Sequence, residues 1–138
     1  MKFFTTIFFL LSLVLQTFSQ STSLSLNKDW SFSQKGKEQW VKATVPGSVY
    51  TDLMDNKIIE HPFFGKNEAD VKWVDSATWV YQTTFTLEEH QKTAEKINLI
   101  FDGLDTYASV YFNQQYLGST NNMFRQWRFP IKLLIKTS

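Results

Sequence analysis

The sequence predicts an all-β fold of the sandwich type, and three observations carry that expectation. Apolar and polar residues alternate with a period of two over Trp79–Thr86, Ile97–Phe101 and Val110–Phe112, the pattern of half-buried strands. Turn-forming groups such as Pro46-Gly47, Asp102-Gly103 and Asn113-Gln114-Gln115 punctuate these runs at short intervals. The 138-residue length and the absence of an internal repeat allow one domain with one core.

The elements follow in order. Leu24 and Leu26, then Trp30 and Phe32, alternate with Ser25, Asn27, Ser31 and Ser33, which reads as strand. Trp40, Val41 and Val45 form another short strand-like run that ends at Pro46-Gly47. Ser48–Asn56 is the helix candidate. The Ser48 hydroxyl can accept the free amides of a first turn, and Val49, Leu53 and Met54 share one face, with Tyr50 four residues before Met54. Ile58, Ile59, Pro62, Phe63 and Phe64 form an apolar loop expected to lie against the core, and a helical turn is expected over Asn67–Trp73. From Trp79 the pattern is β, with Trp79, Tyr81, Thr83 and Phe85 on one face and Val80, Gln82, Thr84 and Thr86 on the other. Glu88–Thr93 reads as a charged connection. Tyr116-Leu117-Gly118 precedes a polar Ser119–Asn122 segment, and Phe129–Ile135 is the last strand-like run. Beyond it the sequence stops without a strand to close the sandwich, so the expected domain is incomplete at its C-terminal end, with one short helix.

The first residues belong to a different class of segment. Lys2, the apolar Phe3–Leu15 and the polar Gln16–Ser19 have the layout of a secretory signal peptide, with Thr17 and Ser19 small enough for cleavage after Ser19. Phe3–Leu15 is short against the ~20 residues of a stable membrane span. The expected organisation is a signal peptide over 1–19 and one domain over 20–138, exported to a bacterial periplasm or the extracellular space. The lack of cysteine leans towards the bacterial route and excludes disulfides, thiolate metal sites, a cysteine nucleophile and a lipoprotein anchor.

Charge narrows the partners. The formal net charge is +1, and loss of Lys2 would bring it to zero. Arg125 and Arg128 are the only arginines, so no basic patch for nucleic acid is expected. Aromatic residues make up 17% of the chain; they suit a β-rich core, and equally a surface on which sugar rings stack.

Glycoside hydrolysis needs two carboxylates about 5–9 Å apart. Glu88-Glu89 lies in a solvated connection, and Asp102 and Asp105 flank Gly103-Leu104 where aspartate commonly caps a turn. Glu60-His61 precedes Pro62 and is a weak acid/base signal, while His90 sits among charges. Two histidines without cysteine make a zinc site improbable, and no nucleophile elbow, P-loop or dinucleotide fingerprint occurs. No metal and no cofactor is expected.

An ordered set of motifs nevertheless resembles the front of the glycoside hydrolase family 2 β-mannosidases. These are Ala43-Thr44-Val45-Pro46-Gly47-Ser48-Val49, then Glu60-His61-Pro62-Phe63-Phe64-Gly65-Lys66-Asn67-Glu68, then Trp73-Val74 through Trp79-Val80-Tyr81. Leu99-Ile100-Phe101-Asp102-Gly103-Leu104-Asp105-Thr106, Val110-Tyr111-Phe112-Asn113 and Asn121-Asn122-Met123-Phe124 follow at matching spacing, with Arg125 and Trp127 behind them. The likeness runs from Leu26 to Ser138. His61 stands where the family has an acidic residue, and Asn121 where aspartate is common.

The resemblance implies a galactose-binding-like jelly-roll domain at the N-terminus of a retaining exo-β-mannosidase, an enzyme that removes terminal β-D-mannose from oligosaccharides. It implies that the two catalytic glutamates lie in a TIM barrel outside this sequence, so that no catalytic residue is expected here. Related glucosaminidases and endo-mannosidases share part of this front domain. Trp73, Asn122 and Phe124 are the candidate sugar contacts. For each the plainer alternative is packing: Trp73 and Trp79 in the sandwich, and Asn122-Met123-Phe124 as a turn plugged into the core. The alternatives for the whole chain are a stand-alone carbohydrate-binding module and a truncated product without function of its own.

Overall fold

The computed structural model describes residues 21–136. The expected signal peptide over 1–19 therefore lies outside the described residues. Strands β1 (Trp30–Gln34), β2 (Val41–Ala43), β3 (Trp79–Gln82), β4 (Asn98–Phe101), β5 (Tyr107–Phe112), β6 (Gln115–Asn121) and β7 (Trp127–Pro130) pair antiparallel throughout. They form a three-stranded sheet in the order β2-β1-β3 and two strand pairs, β4-β7 and β5-β6. Short helices α1 (Val49–Asp55), α2 (Asn67–Asp70) and α3 (Trp73–Ser76) fall between β2 and β3, and α4 (Glu89–Lys92) between β3 and β4.

The core grows from the alternation in β1 and β3. Phe32 is fully buried, and its ring stacks on Tyr81 at 5.3 Å and tilts against Trp79 at 5.7 Å. Register explains the contact: Phe32 stands opposite Tyr81, and Gln34 opposite Trp79, so the large rings of both strands share one face. Leu53 of α1, Ala43 of β2 and Val71 and Val74 around α3 complete the cluster.

Helix α1 starts as the sequence predicts. Ser48 is the cap, its Oγ accepts the Thr51 amide at 3.3 Å, and Thr51 Oγ1 accepts the Ser48 amide at 3.1 Å, a reciprocal box. Gly47 is required just before it, because a Cβ there would sit 2.2 Å from the Thr44 carbonyl oxygen. The alternation predicted beyond Trp79 also holds in burial as far as Phe85, although strand pairing stops at Gln82. Phe85 reaches the ring of Phe112 in β5 at 6.1 Å and joins the first sheet to the β5–β6 hairpin.

Several expectations are corrected. Besides the capped helix and the helical turn expected from Asn67, which is α2, the chain forms two further short helices, α3 and α4, and a 3-10 turn over Lys132–Leu134. Leu24–Asn27 forms no strand; among the described residues it has no strand partner, and the Leu26 carbonyl instead accepts the Trp30 indole N–H. The Glu88–Thr93 connection contains α4, because Glu88 and Gln91 cap it reciprocally, the Gln91 side chain accepting the Glu88 amide at 2.8 Å. Trp73, expected to end a helical turn over Asn67–Trp73, instead opens α3, where the buried Val71 and Val74 hold the turn inward. The final apolar run is strand only to Pro130, which has no amide hydrogen to continue a ladder; Ile131 then bonds to the Ile97 carbonyl at 2.9 Å, is buried, and the chain turns. Conversely, the polar Ser119–Asn121 segment continues β6, since Thr120 is buried and its hydroxyl bonds to the Ala108 amide and the Thr106 carbonyl.

Candidate functional site

Two of the three candidate sugar contacts share one loop. Between β6 and β7, Asn122 Oδ1 accepts the Phe124 amide at 2.8 Å, and the Asn122 carbonyl accepts the Trp127 indole N–H at 3.1 Å. The asparagine thus ties both ends of the loop by its own acceptors, the local chemistry that makes Asn a turn residue. Arg125 lies over the Trp127 ring, 4.3 Å from its centroid, a cation–π contact that supports the same loop. The result is an outward Phe124, 89% exposed, and a half-exposed Met123. The plugged-turn alternative is therefore corrected: the loop's own hydrogen bonds hold it closed without burying its apolar side chains.

Trp73 sits elsewhere, on α3. That helix is positioned by the Tyr50 hydroxyl, which donates to Asp75 Oδ1 at 2.8 Å, and by the Trp79 indole, which donates to the Val74 carbonyl at 3.1 Å. The bond to the Asp75 carboxylate holds the exposed Tyr50 phenol above its ordinary pKa. Trp73 packs at a tilt on Trp79, 5.7 Å between centroids, and remains 39% exposed. With Gln39, Val41, Ile58 and Lys37 it lines a cleft of about 240 Å³. That is below the ~300–1,000 Å³ of ordinary small-molecule sites. No hydrogen bond or ring contact among the described residues joins Trp73 to Asn122 or Phe124, so the three candidates divide into a cleft and a loop.

The acidic residues have structural work. Asp102 Oδ1 accepts Gln126 Nε2 at 2.7 Å, and Gln126 Oε1 in turn accepts Arg128 Nε at 2.7 Å. Asp102 therefore bonds across to the β6–β7 loop, which the same glutamine ties to Arg128 of β7. Asp105 accepts the neighbouring Thr106 hydroxyl. Glu88 faces His90 Nδ1 at 3.2 Å and Glu89 pairs with the partly buried Lys92 at 2.7 Å, with Glu88, Glu89 and His90 on the surface around α4. His61 is exposed beside the rings of Phe63 and Phe64, its Nδ1 accepting the Phe63 amide at 3.3 Å, and Phe63 and Phe64 project from the surface instead of lying against the core as expected. No group of three histidine, aspartate or glutamate side chains among the described residues could hold a metal ion, and no helix among them is long and apolar enough to cross a membrane.

The residue that sequence reading misses is Asp52. It is buried within α1, and its carboxylate accepts the Thr44 amide through Oδ1 and the Tyr81 hydroxyl through Oδ2, both at 2.8 Å. Burial first, and then the bond to Asp52, push the Tyr81 phenol far above its ordinary pKa. The available signal was its place four residues after the capping Ser48, on the face that carries Val49 and Leu53. A carboxylate in that stripe normally argues against burial.

Antiparallel strand pairs around an aromatic core define a galactose-binding-like domain of the β-sandwich class. Residues 30–138 match the family described as glycosyl hydrolase 2 galactose-binding domain-like, and the chain belongs to that family. It is 36% identical to the β-mannosidase of Bos taurus over 114 residues, which is 83% of this chain and 13% of that protein. It is 36% identical to β-mannosidase A of Emericella nidulans over 110 residues, 78% of this chain and 11% of that protein. The crystal structure of β-D-mannosidase from Dictyoglomus thermophilum superposes with a TM-score of 0.80 at 39% identity, covering 82% of this chain and 14% of that one. The chain thus spans about an eighth of the length of these relatives, 13% of the Bos taurus protein.

Proposed function

We propose that this domain is the N-terminal, non-catalytic part of a retaining exo-β-mannosidase that removes β-D-mannose from the non-reducing ends of oligosaccharides. One observation carries the reading: identity of 36% to 39% with β-mannosidases from an animal, a fungus and a bacterium extends over most of the chain. In this proposal one glutamate protonates the leaving oxygen and a second attacks the anomeric carbon, with inversion twice and net retention. Both belong to a barrel outside residues 1–138. The surface positions of Glu88 and Glu89, and the hydrogen bonds that engage Asp102 and Asp105, support the absence of that pair here.

Within this proposal Trp73 offers a ring at the mouth of its cleft, and Asn122 with Phe124 offers an amide and a ring on the loop. Export to a periplasm or the extracellular space is proposed from the Lys2–Ser19 pattern. The test is paired. The gene product that contains this sequence should hydrolyse an aryl β-mannoside and release β-mannose first, seen by NMR before mutarotation. The 138-residue chain alone should show no turnover above buffer. Turnover by the chain alone, or α-mannose as first product, overturns the proposal.

A further inference from the structure

We propose that the outer face of the β5–β6 hairpin is a second glycan-contact surface, a neutral tyrosine–serine platform for an extended neutral oligosaccharide. Three cross-strand pairs make it: Tyr107 opposite Asn121, Ser109 opposite Ser119, and Tyr111 opposite Tyr116. All six side chains belong to exposed residues, with Tyr107, Tyr111 and Tyr116 at 86%, 59% and 53%.

A register shift builds this face. Between Val110 and Tyr111 the pairing moves so that Val110 stands opposite Gly118 while Tyr111 stands opposite Tyr116. Leu117 is the extra residue of a bulge. With strict alternation Tyr116 would share the inward side of Gly118 and Thr120; the bulge turns it outward to meet Tyr111. Their rings lie 5.4 Å apart at 58°. The Tyr116 hydroxyl is held 2.7 Å from Ser119 Oγ, which lies 3.4 Å from Ser109 Oγ. The hydroxyls between the aromatic ends are thus positioned in advance of any ligand.

That chemistry fits a pyranose chain. A sugar ring lays its C–H face on an aromatic ring and exchanges hydrogen bonds through its hydroxyl edge, and the platform offers both kinds of contact. None of the six residues is charged, which suits a neutral ligand and disfavours nucleic acid or an anionic membrane. Tyr107 and Tyr111 are separated by four strand residues, about 13 Å at ~3.3 Å per residue. Such a span takes an oligosaccharide rather than one sugar. The platform is also continuous with the candidate loop, since Asn121 leads directly into Asn122. The choice of sugar rests on the mannosidase reading above; the location does not.

The experiment uses the 138-residue chain with its five tyrosines labelled on the ring and followed by NMR during titration with β-1,4-linked mannohexaose. Saturable shifts are expected at Tyr107, Tyr111 and Tyr116, with the core Tyr81 unmoved as the internal reference. Tyr111→Ala should weaken binding roughly tenfold, as loss of an aromatic contact of that kind does, while Phe63→Ala on the distant exposed loop should leave it unchanged. Absence of shifts, equal shifts at all five tyrosines, or an unchanged affinity in Tyr111→Ala overturns the platform. So do concentration-dependent shifts without sugar that Tyr111→Ala removes, which would make the face a contact between copies of the chain. If Tyr111→Ala fails to fold, the titration of the unaltered chain decides alone. Hydrolysis does not enter this readout. A chain that binds nothing while its parent turns over mannosides sinks the platform only, and binding with an inactive parent sinks the mannosidase reading only.

Discussion

The Asp52 carboxylate accepts the Tyr81 hydroxyl at 2.8 Å, and its other oxygen accepts the Thr44 amide at the same distance. One buried side chain therefore links the loop that carries Pro46-Gly47, helix α1 and strand β3, with Tyr81 lying 29 residues after Asp52 and Thr44 eight residues before it. The loop, the helix and the sheet edge near Trp73 depend on it for their relative placement.

Removing that carboxylate should be costly. Asp52→Ala leaves a backbone amide and a phenol without their acceptor, and each hydrogen bond to a charged group contributes about 1.5–3 kcal/mol. A loss of about 3 kcal/mol or more is expected in urea unfolding. Tyr81→Phe removes one bond and should cost about 1–2 kcal/mol. In the double variant the two losses should fall short of their sum, because they share one interaction. Full additivity would show that the Asp52–Tyr81 bond contributes nothing.

The same pair sets an alkaline limit. The native Tyr81 phenol titrates above its ordinary pKa of 10.0, so above that pH the unfolded chain releases this proton while the native chain retains it. Its contribution is fully present below pH 10 and declines as pH rises from there through the raised native value. Unfolding free energy followed from pH 9 upward should fall more steeply in the unaltered chain than in Tyr81→Phe. Parallel slopes would contradict the buried hydrogen bond.

Gly47 has no room for a side chain. A Cβ there would meet the Thr44 carbonyl oxygen at 2.2 Å, and both partners are backbone, so the turn itself must move. Gly47→Ala should lower stability by about 1–3 kcal/mol, the usual cost of overpacking, seen as a reduced melting temperature. An unchanged melt would mean that the turn has another conformation.

The cleft and the loop can be separated by substitution in the mannoside-hydrolysing parent proposed above. Trp73→Ala should raise KM for an aryl mannoside by roughly tenfold, the scale of one aromatic contact. The fold should survive because the ring is half exposed. Asn122→Ala should act through the loop, since it removes the acceptor of the Phe124 amide. The loss of that turn should appear as raised proteolysis between Asn121 and Trp127. A Trp73→Ala enzyme with unaltered KM would return Trp73 to a packing role.

The strand faces were legible wherever an element interacts with its own neighbours in sequence. The alternation through Trp79, Tyr81 and Phe85, the Ser48 cap and the Asn113-Gln114 turn each follow from local chemistry. In the structure Asn113 and Gln114 both take positive φ, 48° and 68°, as a tight two-residue hairpin turn demands. The family was legible for a related reason, because its motifs are caps, turns and strand faces at fixed spacing. Helix α4 was missed because its capping partners, Glu88 and Gln91, look like an ordinary charged connection.

By itself, then, the sequence determined the class of fold, most of its strands, the capped helix α1 and the family to which the chain belongs. Only the tertiary structure decided that Asp52 is inside, that Phe124 is outside, that β7 stops at Pro130 and that Tyr116 faces outward beside Tyr111. Two of these depend on partners distant in sequence: Tyr81 for Asp52, and Ile97 for the turn after Pro130. The other two depend on local geometry that alternation does not encode: the Asn122 hydrogen bonds that close the loop, and the bulge that resets the pairing of β6 with β5 at Tyr116. Periodicity reports which face a residue belongs to, but not a one-residue bulge that reverses the face or a long-range hydrogen bond that makes burial of a charge acceptable.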